Sequence, residues 1–175
     1  MGTTMKHSNA SANLSFRIGI PDPYALRLGH FTSRWGSIEF ALEGVIWDLA
    51  GLKAEVGHVF TRCLQARQKQ DQIRSLLEVV AVPPEVRACW ERADDHIERL
   101  VPTVNALVHG HWAADAKPRP AHEHPIGRPD LDWRGAMAVQ ASATYTLQDL
   151  DEKITKADNI LSVLTELADR LRSCL

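Results

Sequence analysis

Apolar residues in this chain recur at steps of three and four over most of its length, the pattern of helices that each turn one face to a core. The last element shows it most plainly. Leu147, Leu150, Ile154, Ala157, Leu161, Leu164, Ala168 and Leu171 alternate at steps of three and four. They form a heptad seam over about 25 residues, which Ile160, Val163 and Leu167 broaden. Thr146 with Asp149 three later makes a capping box at its start, and Tyr145 is placed to staple against Leu150. A seam this regular packs along another long helix, in the same chain or in a partner subunit.

Earlier stretches carry the same period with different punctuation. Asp22 and Pro23 read as a helix entry, and Ile38, Leu42, Val45 and Leu49 stripe a helix from Tyr24 to about Leu52, which ends at Gly51. Trp35, Phe40, Ile46 and Trp47 widen that stripe, so this helix is expected to be buried on more than one side. A short helix over Glu55–Cys63 leads to a polar one over Gln65–Val80. Its first turns read as a solvated face until Ile73, Leu76 and Leu77. Pro83 and Pro84 stop it and start the next helix, where Trp90, Ala93, Ile97, Leu100, Val104 and Leu107 keep helical spacing up to Val108. Pro102 interrupts this helix and is expected to kink it. Four prolines between residues 113 and 130 predict a long surface loop, and weak alternation over 135–145 suggests a small hairpin with the segment around His111.

The expected architecture is therefore all-α: an antiparallel bundle of four to five helices, with a small hairpin or proline-rich loop before the C-terminal helix. Residues 1–20, rich in Ser, Asn and Thr, are expected to be a flexible segment ahead of a single domain over 21–175.

Composition narrows the class without naming a chemistry. The 175 residues hold 45% hydrophobic and 24% charged side chains, the balance of one globular domain. A formal net charge of -2 argues against a broad footprint for nucleic acid but leaves room for a local basic patch. No run of about 18 apolar residues occurs, so no membrane span is expected. The first residues lack the apolar core and cleavage site of a secretory signal. Cys63, Cys89 and Cys174 are widely spaced with no C-x-x-C pair, which fits free thiols in a cytoplasmic protein.

The densest polar chemistry is Asn105-Ala-Leu-Val-His109-Gly110-His111-Trp112. Asn105 and His109 lie one turn apart on the same helix face, and Gly110 suits a helix end. Two readings compete: a ligand or phosphate site at a helix terminus, or polar side chains tying that end to the loop or to Glu39. His122-Glu-His124 could reach one ion, but loop histidines are usually solvated, so no metal and no cofactor are expected. Trp35, Trp47 and Trp90 read as core, while Trp112 and Trp133 flank the loop as candidate pocket walls. The basic run Arg62, Arg67, Lys69 and Arg74 reads as a solvated face. No nucleophile elbow, phosphate loop or dinucleotide fingerprint occurs.

Trp35-Gly-Ser-Ile38-Glu39 on one helix and Asn105-Ala-Leu-Val-His109-Gly110 on a later one resemble the HEPN-like superfamily, in outline over residues 30–173. That resemblance implies a helical bundle, commonly a homodimer, acting either as a metal-independent ribonuclease or as an inactive nucleotide-binding or antitoxin-like partner. His109 and Asn105 would be the catalytic candidates, with Glu39, Arg99, His111 and Trp112 as ligand-binding candidates. The chain departs from the family at one place: the motif arginine is Val104. Metal-free RNA cleavage needs a cation for charge developing on the phosphorane, which valine cannot supply. The expectation is a binding or regulatory module for RNA, a nucleotide or a protein partner. The alternative is a divergent ribonuclease in which a second subunit brings Arg99 or Arg92 to His109.

Overall fold

Each helix starts and stops where the local chemistry asks it to. The computed structural model describes residues 20–108, 113–114, 126–127, 130–131, 139–140 and 144–174. In it α1 spans Asp22–Ala50, with proline in its first turn, and closes on Gly51 at φ 62°, a left-handed conformation that costs glycine little. Then come α2 (Ala54–Thr61), α3 (Ala66–Val79) and α4 (Pro84–Val108). The last helix, α5 (Leu147–Cys174), opens on the capping box read from the sequence. Thr146 N–H donates to Asp149 Oδ2 at 2.7 Å, and Asp149 N–H donates to Thr146 Oγ1 at 3.1 Å. The backbone bond holds the Asp149 carboxyl below its usual range, with the Thr146 hydroxyl adding to it.

Four long helices close a ring in which α1 packs on α3 and α5, and α4 packs on α5. Polar clamps join α3 to α4: Arg74 binds Asp94 at 2.7 Å and Glu98 at 2.5 Å, and Gln70 donates to Asp94 at 2.7 Å. The short α2 lies outside the ring against α1. The core between the four holds Phe31, Ile38, Leu42, Ile73, Ile97, Leu150, Ala157 and Leu164, all essentially dry.

Helix direction refines the expected antiparallel arrangement. α4 and α5 run antiparallel, since Glu85 and Val86 share a cleft with Asp169 and Ser173 while Arg99 and Thr103 share one with Lys153 and Lys156. α3 and α4 do so too, Arg87 donating to the Leu77 carbonyl and Arg74 to Asp94. The long pair α1/α5 instead runs parallel. Arg27 binds Asp151 at 2.8 Å and Arg34 binds Asp158 at 3.1 Å, each pair 124 residues apart, and Asp48 lies in the field of Arg172 at that same offset. Only helices pointing the same way keep a constant offset over several turns.

The sequence encodes this register. Tyr24, Leu28, Phe31, Trp35, Ile38, Leu42, Val45 and Leu49 alternate at steps of four and three, matching the seam of α5. With these as core positions, Arg27, Arg34 and Asp48 fall at g, and Asp151, Asp158 and Arg172 fall at e. Those are the flanking positions that pair across a parallel two-helix seam. The register sets Phe31 level with Leu150, Ile38 with Ala157 and Val45 with Leu164.

Between α4 and α5 the described strands are two-residue bridges: β1 (Ala113–Ala114), β2 (Ile126–Gly127), β3 (Asp130–Leu131), β4 (Val139–Gln140) and β5 (Thr144–Tyr145). β2 pairs antiparallel with both β1 and β5, and β3 pairs with β4. Among the described residues, the segment before α5 thus joins β1 through β2, which lies inside the stretch expected to be a surface loop. Ile126 and Gly127 sit between Pro125 and Pro129, so both keep the backbone N–H that pairing needs.

Two further expectations are corrected. Phe40 is 61% exposed rather than part of the buried stripe, because two residues past Ile38 is a 200° turn around the helix. The polar start of α3 is not a solvated face, since Ala66, Lys69 and Gln70 are buried there.

Candidate functional site

The antiparallel seam of α4 and α5 buries Ile97, Leu100, Ala157 and Ile160, and the residues flanking it form the walls of a groove. On α4 these are His96, Arg99 and Thr103, one turn apart at i, i+3 and i+7. On α5 they are Lys153, Lys156 and Asn159. The groove measures about 270 Å³, with Leu100 and Ile160 also lining it. Three permanent cations and an imidazole line it, and among the described residues no carboxylate does. Arg99 is 74% exposed and bridges Asp95 at 2.8 Å within its own helix, which leaves other guanidinium donors open to a ligand. An apolar base between two cationic rims has the chemistry to hold a flat ring below and an anion above.

Of the site residues singled out in the sequence, Arg99, Asn105 and Glu39 are among the described residues. Arg99 lines the groove. Asn105 is exposed on the last turn of α4 and sits about 240° around that helix from Arg99, so the two face different sides. Val104, the residue before Asn105, is buried at 4% exposure, so it points into the core. Glu39 is half-buried on α1, away from the groove, and its carbonyl accepts the Lys69 ammonium at 3.3 Å. His109, His111, Trp112, Trp133, His122 and His124 lie outside the described residues. Trp35, Trp47 and Trp90 are core, as their spacing implied. Among the described residues no group of three or more His, Cys, Asp or Glu side chains is placed to hold a metal ion. Among them, too, no helix is long and apolar enough to cross a membrane.

A second polar cluster was not foreseen. Glu43, at 5% exposure on α1, takes Lys69 Nζ at 2.7 Å on one carboxylate oxygen. The other oxygen accepts the Thr61 hydroxyl at 2.9 Å and meets His58 Nδ1 at 3.1 Å. Trp47 Nε1 donates to Thr61 Oγ1 at 3.0 Å. Burial pushes the Glu43 carboxyl up, but the bonds from Lys69, His58 and Thr61 outweigh it and hold its pKa below the usual value. Gly57 presses on the Trp47 indole so closely that a Cβ there would fall 2.3 Å from a ring carbon. Among the described residues every buried side-chain nitrogen and oxygen is partnered. Through these bonds the cluster fastens α2 and α3 to α1.

One sequence signal marked it: Glu43 is an acid within the otherwise uncharged run Phe40–Trp47. Nothing local to Lys69 named it as the partner. No family model matches the chain, and neither a curated protein nor a solved structure matches it.

Proposed function

We propose that this chain is a helical binding module for a phosphate-bearing ligand, a nucleotide or single-stranded RNA, held in the α4/α5 groove. The observation that carries the reading is a cationic lining, Arg99, Lys153, Lys156 and His96, with no carboxylate among the described residues, on a chain whose net charge is -2. Local positive charge on an acidic protein concentrates anions where they are wanted. The resemblance to HEPN-like domains agrees with such a role, and the buried Val104 favours a binding member over a nuclease.

The test is fluorescence anisotropy with a labelled oligoribonucleotide and, separately, a labelled nucleoside triphosphate. Lys153→Glu with Lys156→Glu is expected to weaken binding at least about tenfold, and to lower the salt slope for RNA by about 1 to 2. Arg170→Glu, on the far half of α5, is expected to leave both unchanged. Binding that ignores the groove variants sinks this reading. RNA cleavage in the presence of chelator, lost in His109→Ala, would establish the ribonuclease alternative instead.

A further inference from the structure

The positive charge of the α4/α5 groove is short, and acid borders it. Each rim carries its charge as a pair one turn apart, His96 with Arg99 on α4 and Lys153 with Lys156 on α5. From His96 to Thr103 the α4 rim runs about 10 Å.

Among the described residues, carboxylates begin on two margins. One turn back along α4, Glu85, Glu91, Asp95 and Glu166 line the seam and outnumber Arg92 and Arg170 there. Both of those arginines are held by Glu166, at 3.1 and 2.8 Å. On the outer flank of α5, a hollow that shares Lys156 and Asn159 with the groove is edged by Asp151 and Glu152. A strand leaving the groove across either margin carries its next phosphates over carboxylates, and like charges at that range repel.

We propose that the groove selects a terminal phosphate, the phosphomonoester of a free nucleotide or of a strand end, over the phosphodiester links within a strand. This rests on the phosphate-binding reading above and narrows it. A phosphomonoester carries about -1.5 to -2 charges at pH 7 and three strong acceptor oxygens, whereas each link within a strand carries a single charge. Arg99 and His96 from one rim and Lys153 and Lys156 from the other supply donors on both sides of one anion. The added charge of the monoester is thus gained where the lining is most positive. Thr103 and Asn159, neutral members of the same lining, are left to the sugar or the base.

Fluorescence anisotropy tests this with one labelled oligoribonucleotide that carries a phosphate at its 5′ end, at its 3′ end or at neither. A terminal phosphate is expected to tighten binding at least about tenfold. Competition separates the two sources of that phosphate. A nucleoside monophosphate that displaces the probe as well as the phosphorylated strand does assigns the site to free nucleotides, and a need for the strand assigns it to strand ends. The matching cyclic nucleotide has the same base but a diester phosphate, and is expected to compete at least about tenfold less well.

Arg99→Gln, at an exposed position, is expected to remove the preference with helix content unchanged. Glu91→Lys with Glu152→Lys, also exposed, is expected to tighten the unphosphorylated strand and to raise its salt slope by about 1 to 2. Equal binding of the three strands, weakened equally by Lys153→Glu with Lys156→Glu, overturns this inference and leaves the groove a site for strands. A preference that survives the groove substitutions overturns it as well. No binding of any probe, or binding indifferent to every groove substitution, sinks the parent reading itself.

Discussion

Lys69 donates to Glu43 at 2.7 Å with both side chains more than nine-tenths withdrawn from solvent. Taking two charges out of water is costly, and the arrangement persists because each charge answers the other. Removing one alone strands its partner. Lys69→Met and Glu43→Leu are each expected to lower unfolding free energy by about 3–5 kcal/mol, and the double variant is expected to recover much of that loss. Urea denaturation of the four proteins of the cycle gives the coupling directly. Additive losses would show that the pair does not act as a unit.

Acid should loosen the same joint. The folded Glu43 carboxyl titrates below its ordinary value of 4.5, so its stabilisation is complete above about that pH and fades as pH falls through the lower folded value. The stability gap between wild type and Glu43→Gln is therefore expected to be constant from neutral pH to near 4.5, and to narrow below it. Comparison with that variant removes the parallel contribution of Asp149, which shifts the same way. Asp48, raised by burial against the pull of Arg172, shifts oppositely and cancels likewise.

Gly57 is needed for space rather than for backbone freedom. Gly57→Ala is expected to push α2 off the Trp47 indole, costing about 1–3 kcal/mol and speeding hydrogen exchange in α2 ahead of the rest. Gly36→Ala, in the interior of α1 with nothing within 4 Å of the added carbon, is expected to add about 0.5–1 kcal/mol by helix propensity. Equal effects at the two glycines would refute the packing account.

The parallel register of α1 and α5 can be checked at Arg34 and Asp158. Their side chains are 32% and 51% exposed, so the pair contributes only about 0.2–1 kcal/mol. Arg34→Asp and Asp158→Arg should each destabilise mildly and compensate when combined. Arg34→Asp with Asp151→Arg, one heptad out of register, should show no such rescue in thermal melts.

The local period placed α1 through α5 within a residue or two, because apolar side chains at steps of three and four have few other ways to be buried. Thr146 and Asp149 announced their cap for the same reason: both partners lie within one turn. What stayed hidden was long-range. Lys69 sits among Gln65, Arg67, Gln68, Gln70 and Asp71, and polar neighbours read as solvent until Glu43, 26 residues earlier, is known to face it. The cationic groove was seen through Arg99 alone, since Lys153 and Lys156 join it only once α4 and α5 lie side by side. The direction of α1 against α5 was legible in principle. Arg27 and Arg34 at g match Asp151 and Asp158 at e, but reading that needs the two seams aligned first.

The pairing of α1 with α5 also sets how this chain reaches its native state. Most helical bundles fold quickly because neighbouring helices meet through short loops. Here the first helix finds its longest partner only after some 124 intervening residues, and the loop between must close before those contacts repay it. On the ribosome, the face that α1 turns to α5 has no partner from this chain until α5 has been made, whereas its contacts with α2, α3 and α4 can form earlier.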